Sequence, residues 1–164
     1  MSEEAVRLMQ DLSDPASQRR LQAVEHLLLS GEAARAAFSL ARLAADADEQ
    51  VREAAVSALE DLGSPPTSDL EELISLLDAP QADVAYWGAT LLGRLGQDAA
   101  PATRKLASTL GSHAAIPVRE RAAWALGKIG PAAAEAIEAL EAAAEESQPR
   151  LRTLAAQSLR SIRS

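Results

Sequence analysis

The sequence contains no cysteine, so a disulfide scaffold and a zinc site with cysteine ligands are both excluded. Aromatic residues make up only 2% of the chain, and its 48% apolar content is therefore mostly alanine, leucine, valine and isoleucine. This content argues against disorder, and alanine and leucine favour closely packed helices. The composition predicts an all-α protein whose core consists of many small contacts.

Long apolar runs and a targeting segment are also missing. No stretch of roughly 18 apolar residues could cross a membrane, and residues 1–4 lack the basic and apolar character of a secretory signal. We therefore expect a cytoplasmic protein with no membrane partner. Arginine outnumbers lysine 14 to 2, which is typical of a bacterial protein from a GC-rich genome.

One short segment recurs along the chain, with copies that start at Val51, Val84, Val118 and Leu151. A weaker copy starts at Arg19. When the first residue is counted as zero, positions 0, 4, 7, 8 and 11 are apolar or small almost throughout. At about 100° per residue these positions share one face of a helix. Each segment is therefore predicted to form an amphipathic helix.

Glycine and proline residues mark the predicted ends and starts of the helices in this repeat. A glycine follows each of the first four segments, where a helix C-cap favours positive φ. Prolines precede the segments and also the stretches between them, which predicts a first helix ahead of each segment. The glycines are Gly31, Gly63, Gly96 and Gly130; the prolines are Pro15, Pro80, Pro117 and Pro149 before the segments and Pro65, Pro66, Pro101 and Pro131 before the first helices.

Five two-helix units fill the chain, at about residues 1–31, 32–63, 64–96, 97–130 and 131–164. A lone helical hairpin cannot bury its apolar face, whereas stacked hairpins form a continuous core. No linker rich in proline, glycine and serine divides the chain, so we predict a single domain over residues 1–164. In the first unit, a second apolar stripe leaves open whether that helix is rotated, shifted or an atypical end cap.

Residues 117–130, with residues 51–59 a close second, resemble the second helix of a HEAT repeat, particularly the bacterial, PBS-lyase-type HEAT repeat. The resemblance implies a right-handed α-solenoid, an alpha-alpha superhelix of about five HEAT-like repeats. It also implies a ladder in which an arginine early in the second helix pairs with an acidic residue in the preceding turn. The arginine position is matched by Arg52, Arg119 and Arg152, and the acidic position by Asp46 and Glu146. Ala85 stands at the arginine position of the third repeat and His113 near the acidic position of the fourth, so the ladder is incomplete.

No catalytic or cofactor constellation is present in the sequence. His26 and His113 lie in different repeats, and the His-Glu pairs with which the HEAT-like deoxyhypusine hydroxylase binds iron do not occur. No glycine loop for phosphate and no serine with an activating His/Asp arrangement occurs either. We therefore expect no enzymatic activity, no cofactor and no metal.

The few aromatic residues indicate a binding surface. Tyr86 and Trp124, at positions 2 and 6 of adjacent segments, fall in the middle of the polar faces, whereas Trp87 lies on the flank and favours packing. The resemblance places the second helices on a concave surface, where Tyr86 and Trp124 would anchor a partner. The predicted partner-binding residues are Tyr86, Trp87, Thr90, Arg94, Glu120, Arg121, Trp124 and Lys128.

The net charge of −8 is distributed unevenly, because residues 32–83 carry −9 and residues 84–130 carry +4. This pattern is typical either of a polarised binding surface or of a solvated exterior. The leading hypothesis is a non-enzymatic protein–protein interaction scaffold that holds a partner segment on the concave face. The alternatives are an accessory subunit resembling bilin lyases and a nucleic-acid-binding protein resembling HEAT-like DNA glycosylases; the acidic charge argues against nucleic acid.

Overall fold

A computed structural model describes residues 3–164, with side chains from residue 6 onward. Met1 and Ser2 lie outside the described residues. They belong to residues 1–4, which were interpreted as lacking the character of a secretory signal. Helices joined by turns and short loops make up the described residues, which confirms the predicted all-α fold. The α-helices are α1 (Glu3–Asp11), α2 (Ser17–Ser30), α3 (Ala37–Leu43), α4 (Glu49–Asp61), α5 (Leu70–Ser75), α6 (Ala82–Leu95), α7 (Thr103–Ser112), α8 (Ile116–Ile129), α9 (Ile137–Ala144) and α10 (Pro149–Arg163).

The helices form two compact units, Met1–Pro66 and Thr67–Ser164. The first unit contains α1 to α4 and the second contains α5 to α10. The division follows Pro65 and Pro66, between the predicted second and third repeats. The single-domain organisation over residues 1–164 stays a prediction.

The first helices of the second to fifth repeats start with tight 3₁₀ turns rather than as continuous α-helices. The 3₁₀ segments Ala33–Ala36, Thr67–Asp69, Gly96–Ala102 and Gly130–Ala136 lead directly into α3, α5, α7 and α9. Two of them contain a proline, Pro101 and Pro131, which lacks the amide hydrogen needed inside an α-helix. The prolines therefore mark the starts of these elements, as predicted, but also shorten their α-helical parts.

The second helices, α2, α4, α6, α8 and α10, coincide with the predicted segments and bury the predicted face. In α10, for example, the residues at positions 0, 4, 7, 8 and 11 are all buried. In α2 the buried residues are Ala23, Val24 and Leu27, while Leu29 is 88% exposed. The first copy therefore keeps the register of the others at positions 4 and 8.

The glycine caps are confirmed in three of the four places. Gly31, Gly96 and Gly130 have φ values of 72°, 59° and 71°. The prediction is wrong for Gly63, which does not have positive φ. The reason is that α4 already ends at Asp61 and Leu62 is extended, with φ −68° and ψ 142°, so that no left-handed residue is needed before the two prolines.

The arginine ladder runs in the opposite direction to the one predicted. Arg119 pairs through two hydrogen bonds with Glu146, which precedes the second helix of the following repeat rather than its own. In the first unit, Arg20 pairs in the same way with Asp46, through two hydrogen bonds of 2.8 Å. Arg52 instead donates to the main-chain carbonyl of Asp46, at 2.7 Å. Sequence reasoning missed Arg20, although it stands at position 1 of the weaker first copy.

Candidate functional site

Small residues let the second helices of the second unit approach one another closely. Gly93 of α6 lies directly under the indole ring of Trp124 of α8, and a β-carbon on Gly93 would collide with that ring. Gly127 of α8 likewise faces Ser158 of α10, and the buried Ser158 hydroxyl donates to the carbonyl of Ala123 at 2.7 Å. The three helices therefore pack side by side, with Trp124 of α8 in close contact with α6.

A cluster of two aromatic rings and two cations lies on α6 and α8. The guanidinium carbon of Arg121 lies 4.7 Å from the ring centroid of Tyr86 and 5.1 Å from that of Trp124. Arg121 also donates a hydrogen bond to the Tyr86 hydroxyl, and the Lys128 ammonium lies 5.7 Å from the Trp124 ring. These are cation–π distances. We call Tyr86, Arg121, Trp124 and Lys128 the aromatic–cation cluster.

An open hollow of about 270 Å³ adjoins the cluster. The Glu120 carboxylate at its edge pairs with Arg150 of α10 at 3.4 Å. Apolar groups from α8 and α10 line the rest, so an apolar side chain of a bound molecule could enter it. The lining residues are Tyr86, Pro117, Glu120, Arg121, Trp124, Arg150 and Leu154.

Three of the predicted residues lie beneath or beside the cluster. Trp87 is only 8% exposed and meets the Tyr86 ring edge-on, with centroids 5.6 Å apart. Thr90 is also buried, and its hydroxyl donates to the Tyr86 carbonyl at 2.8 Å. Arg94 lies over the Trp87 ring, at 5.8 Å from the centroid. Trp87 and Thr90 therefore lie buried within the fold next to Tyr86. Of the cluster residues, Tyr86, Arg121 and Trp124 are half-buried and Lys128 is exposed.

Charge in the second unit separates between the first and the second helices. The helices α6, α8 and α10 carry eight basic and two acidic residues, a net charge of +6. The rest of residues 67–164 carries two basic and ten acidic residues, a net charge of −8. The distribution of charge along the chain does not reveal this separation, whereas the charge of each predicted helix does.

Among the described residues, no helix combines the length and apolar character needed to cross a membrane. Nor do histidine and acidic side chains of this part of the chain gather in a group of three or more that could hold a metal ion.

Comparisons with known proteins agree with this architecture. The family described as HEAT repeats matches residues 70–160. No curated protein matches the chain significantly. Similar solved structures were found, and their low sequence identity to this chain means that they show the fold alone.

Three of these structures illustrate the likeness. An engineered protein has a TM-score of 0.61 and 22% identity, over 99% of this chain and 48% of its own. A designed armadillo repeat protein in complex with the peptide (KR)4 has a TM-score of 0.63 and 19% identity, over 96% and 80%. The CpcE–CpcF complex of phycocyanin lyase from Nostoc sp. PCC7120 has a TM-score of 0.64 and 23% identity, over 99% and 66%.

The chain thus spans about half of the first of these proteins and 66% of the third. The fold common to all three is an all-α repeat solenoid of the HEAT/armadillo type. The family match covers residues 70–160 of 164, more than half of the chain, and contains every residue of the aromatic–cation cluster. On these grounds the chain belongs to the HEAT-repeat family.

Proposed function

We propose that this protein is a non-enzymatic interaction module of the bacterial cytoplasm that binds a segment of a partner protein. The partner contacts the second helices of the second unit, the side that the family resemblance makes concave, with the aromatic–cation cluster at its centre. The observation that carries the proposal is Arg121, held between the half-exposed rings of Tyr86 and Trp124 beside an open hollow. Tyrosine, tryptophan and arginine are the residues most enriched at the energetic centres of protein interfaces.

The geometry supports this proposal because the cluster is preorganised. Trp124 is braced against Gly93. The Tyr86 side chain is held by the edge-on contact with Trp87 and by the hydrogen bond from Arg121 to its hydroxyl. Binding therefore requires little ordering of side chains, which keeps the entropic cost of association low. A surface that served only as solvated exterior would gain nothing from fixing these long side chains.

An accessory subunit for bilin attachment is the alternative favoured by the likeness to the CpcE–CpcF complex of phycocyanin lyase. The hollow of about 270 Å³ lies below the range of about 300 to 1,000 Å³ for sites that enclose drug-sized ligands. Incubation of the protein with a bilin, followed by an absorbance scan, tests this alternative. A shifted and sharpened bilin band that depends on Trp124 would favour it over the interaction module.

The interaction proposal is tested by removing the two rings. Partners are captured from a bacterial lysate, identified and purified, and their dissociation constants are measured with the native protein and with a Tyr86→Ala/Trp124→Ala variant. We expect the variant to bind about tenfold more weakly, because both truncated side chains lie at the centre of the contact.

The matched control is Phe38→Ala in the first unit, which removes a ring that is likewise half-buried and 5.8 Å from an arginine, Arg42. Its affinity should equal that of the native protein. Helical circular dichroism must be retained in both variants. Equal affinities of all three proteins for every captured partner would refute a partner site at the cluster.

A further inference from the structure

We infer that the partner segment is acidic, and that two of its carboxylates bind Arg121 and Lys128. This inference rests on the proposed function and specifies the chemistry of the partner. It follows from the charge of the surface, from the unfilled hydrogen-bonding capacity of its cations and from their spacing.

The net charge of the second helices determines which charge a partner segment should carry. The helices α6, α8 and α10 carry a net charge of +6, while the rest of the second unit carries −8. An acidic segment is therefore attracted to the second helices and repelled from the first helices and turns, which directs it to one side of the unit. A basic segment would experience the opposite preference.

Arg121 and Lys128 are the cations of the cluster, and neither forms an ion pair with a carboxylate of the described residues. Arg119, by contrast, is already paired with Glu146, and Arg150 with Glu120. A guanidinium has five N–H donors in a planar fork, of which Arg121 uses one on the Tyr86 hydroxyl. The rings hold the fork in place and leave its other donors for a two-point contact with a carboxylate.

The spacing of the two cations limits the shape of the segment. Arg121 and Lys128 are seven residues apart on α8, which is about 10 Å at a rise of about 1.5 Å per residue. A segment in the polyproline II conformation with acidic residues at i and i+3 spans nearly the same distance, about 9 Å at about 3.1 Å per residue, and its three residues per turn place both side chains on one face. An apolar side chain beside the first carboxylate could enter the hollow next to Pro117 and Leu154.

Nucleic acid is the other anionic polymer that could meet this surface, but the distribution of charge favours protein. Tight binding to nucleic acid relies on many phosphate contacts, typically about 6 to 10. Three of the eight basic residues of the second helices, Arg119, Arg150 and Arg163, are already paired with carboxylates, which leaves at most five for phosphate contacts. The test below therefore includes a nucleic-acid probe, so that binding to phosphates would be detected.

The experiment measures fluorescence anisotropy of labelled ten-residue peptides with the full chain. One peptide carries glutamates three residues apart beside a leucine; two matched peptides carry glutamine or lysine instead, and oligo(dT) of equal length is the fourth probe. We expect the glutamate peptide to bind, with an affinity that falls as salt is raised, and the other three probes to bind at least fivefold more weakly.

Protein variants locate the contact. The Arg121→Gln/Lys128→Gln variant should bind the glutamate peptide about fivefold more weakly than the native protein. The Arg121→Lys variant should also bind it more weakly, because lysine lacks the planar fork of donors. Arg104→Gln is the matched control, since Arg104 is an exposed arginine of α7 that pairs with Glu135 and lies outside the surface. It should leave the affinity unchanged.

The outcomes separate the two proposals. If the glutamine or lysine peptide binds as tightly as the glutamate peptide, and this binding is lost in Tyr86→Ala/Trp124→Ala, the acidic inference fails and the interaction module stands. Tighter binding of oligo(dT) assigns the surface to nucleic acid and overturns both. Absence of any peptide binding at millimolar concentration overturns the acidic inference, and the lysate experiment then decides the proposed function separately.

Discussion

Replacing Asp46 with asparagine is expected to destabilise the first unit by about 2 kcal/mol, because the change breaks a largely buried ion pair on one side. The Arg20 and Asp46 side chains are only 14% and 8% exposed. Arg20 also donates to the Asp14 carbonyl at 2.7 Å, so the pair joins the turn before α2 to the turn before α4. Asparagine retains an oxygen for the main-chain N–H of Asp48, which Asp46 accepts at 2.9 Å, so the substitution removes the charge together with the hydrogen bond from Arg20 Nε and leaves this turn intact.

The destabilisation should depend on pH. Burial alone would raise the pKa of the Asp46 carboxyl, but hydrogen bonds from Arg20 and from the Asp48 main chain outweigh it and lower that pKa below its ordinary value. The stabilisation by the pair is therefore complete above the ordinary aspartate pKa of about 3.9 and is lost as the pH falls towards the folded value. The difference between native protein and Asp46→Asn should be constant above about pH 5 and shrink below about pH 4.

Hydrogen exchange of the α2 and α4 amides measures this effect within the first unit. The control is Arg19→Ala, which removes the neighbouring arginine, 67% exposed and paired with Asp14 at 3.2 Å. A surface pair of this kind should contribute less than about 0.5 kcal/mol. Equal protection losses in the two variants would show that the Arg20–Asp46 pair does not hold the two repeats together.

Replacing Gly93 with alanine is expected to destabilise the second unit by about 2 kcal/mol through overpacking, although alanine is the better helix former. The added methyl group would occupy the space of the Trp124 ring and force that ring off α6. Overpacking of this kind exceeds the gain of about 1 kcal/mol in helix propensity. Displacing Trp124 also removes one of the two rings that hold Arg121, so binding of the glutamate peptide should weaken together with the stability.

The matched control is Gly111→Ala in α7. A β-carbon there would meet no atom within 4 Å, so helix propensity acts alone and the variant should be more stable by about 0.5 to 1 kcal/mol. Both tryptophans of the chain, Trp87 and Trp124, lie in the second unit, so urea unfolding followed by tryptophan fluorescence reports on that unit. Shifts of the same sign in the two variants would contradict the close packing of Trp124 on Gly93.

Much of the fold could be predicted because it depends on local periodicity. Apolar residues at positions 0, 4, 7, 8 and 11 determined which face of α4, α8 and α10 is buried, and the structure confirms it. The three glycines with positive φ also follow from local chain geometry. The conformation of Gly63 could not be predicted in this way, because α4 ends two residues before it and the chain is already extended at Leu62.

All four residues of the aromatic–cation cluster were among those predicted from the sequence, because they lie on the polar faces of adjacent second helices. Tyr86 and Trp124 stood out because rings on a polar helix face are rare in this chain. The positions of Trp87 and Thr90 beneath Tyr86 depend on which side of α6 the neighbouring helix covers. Arg150, which lines the hollow and pairs with Glu120, was missed, since only the packing of α10 on α8 brings these two side chains together.

The sequence by itself determined the repeat length, the helical class and the residues of the core, because each of these follows from the 3.6-residue period and from where helices must stop. Tertiary structure decided the partners of the long polar side chains. Arg20 meets Asp46 and Arg119 meets Glu146 across 26 and 27 residues of chain, and Arg121 meets Tyr86 across 35. Such distant side chains come together only when repeats stack, and the stacking distance depends on the small residues, Gly93 and Gly127, where the helices touch.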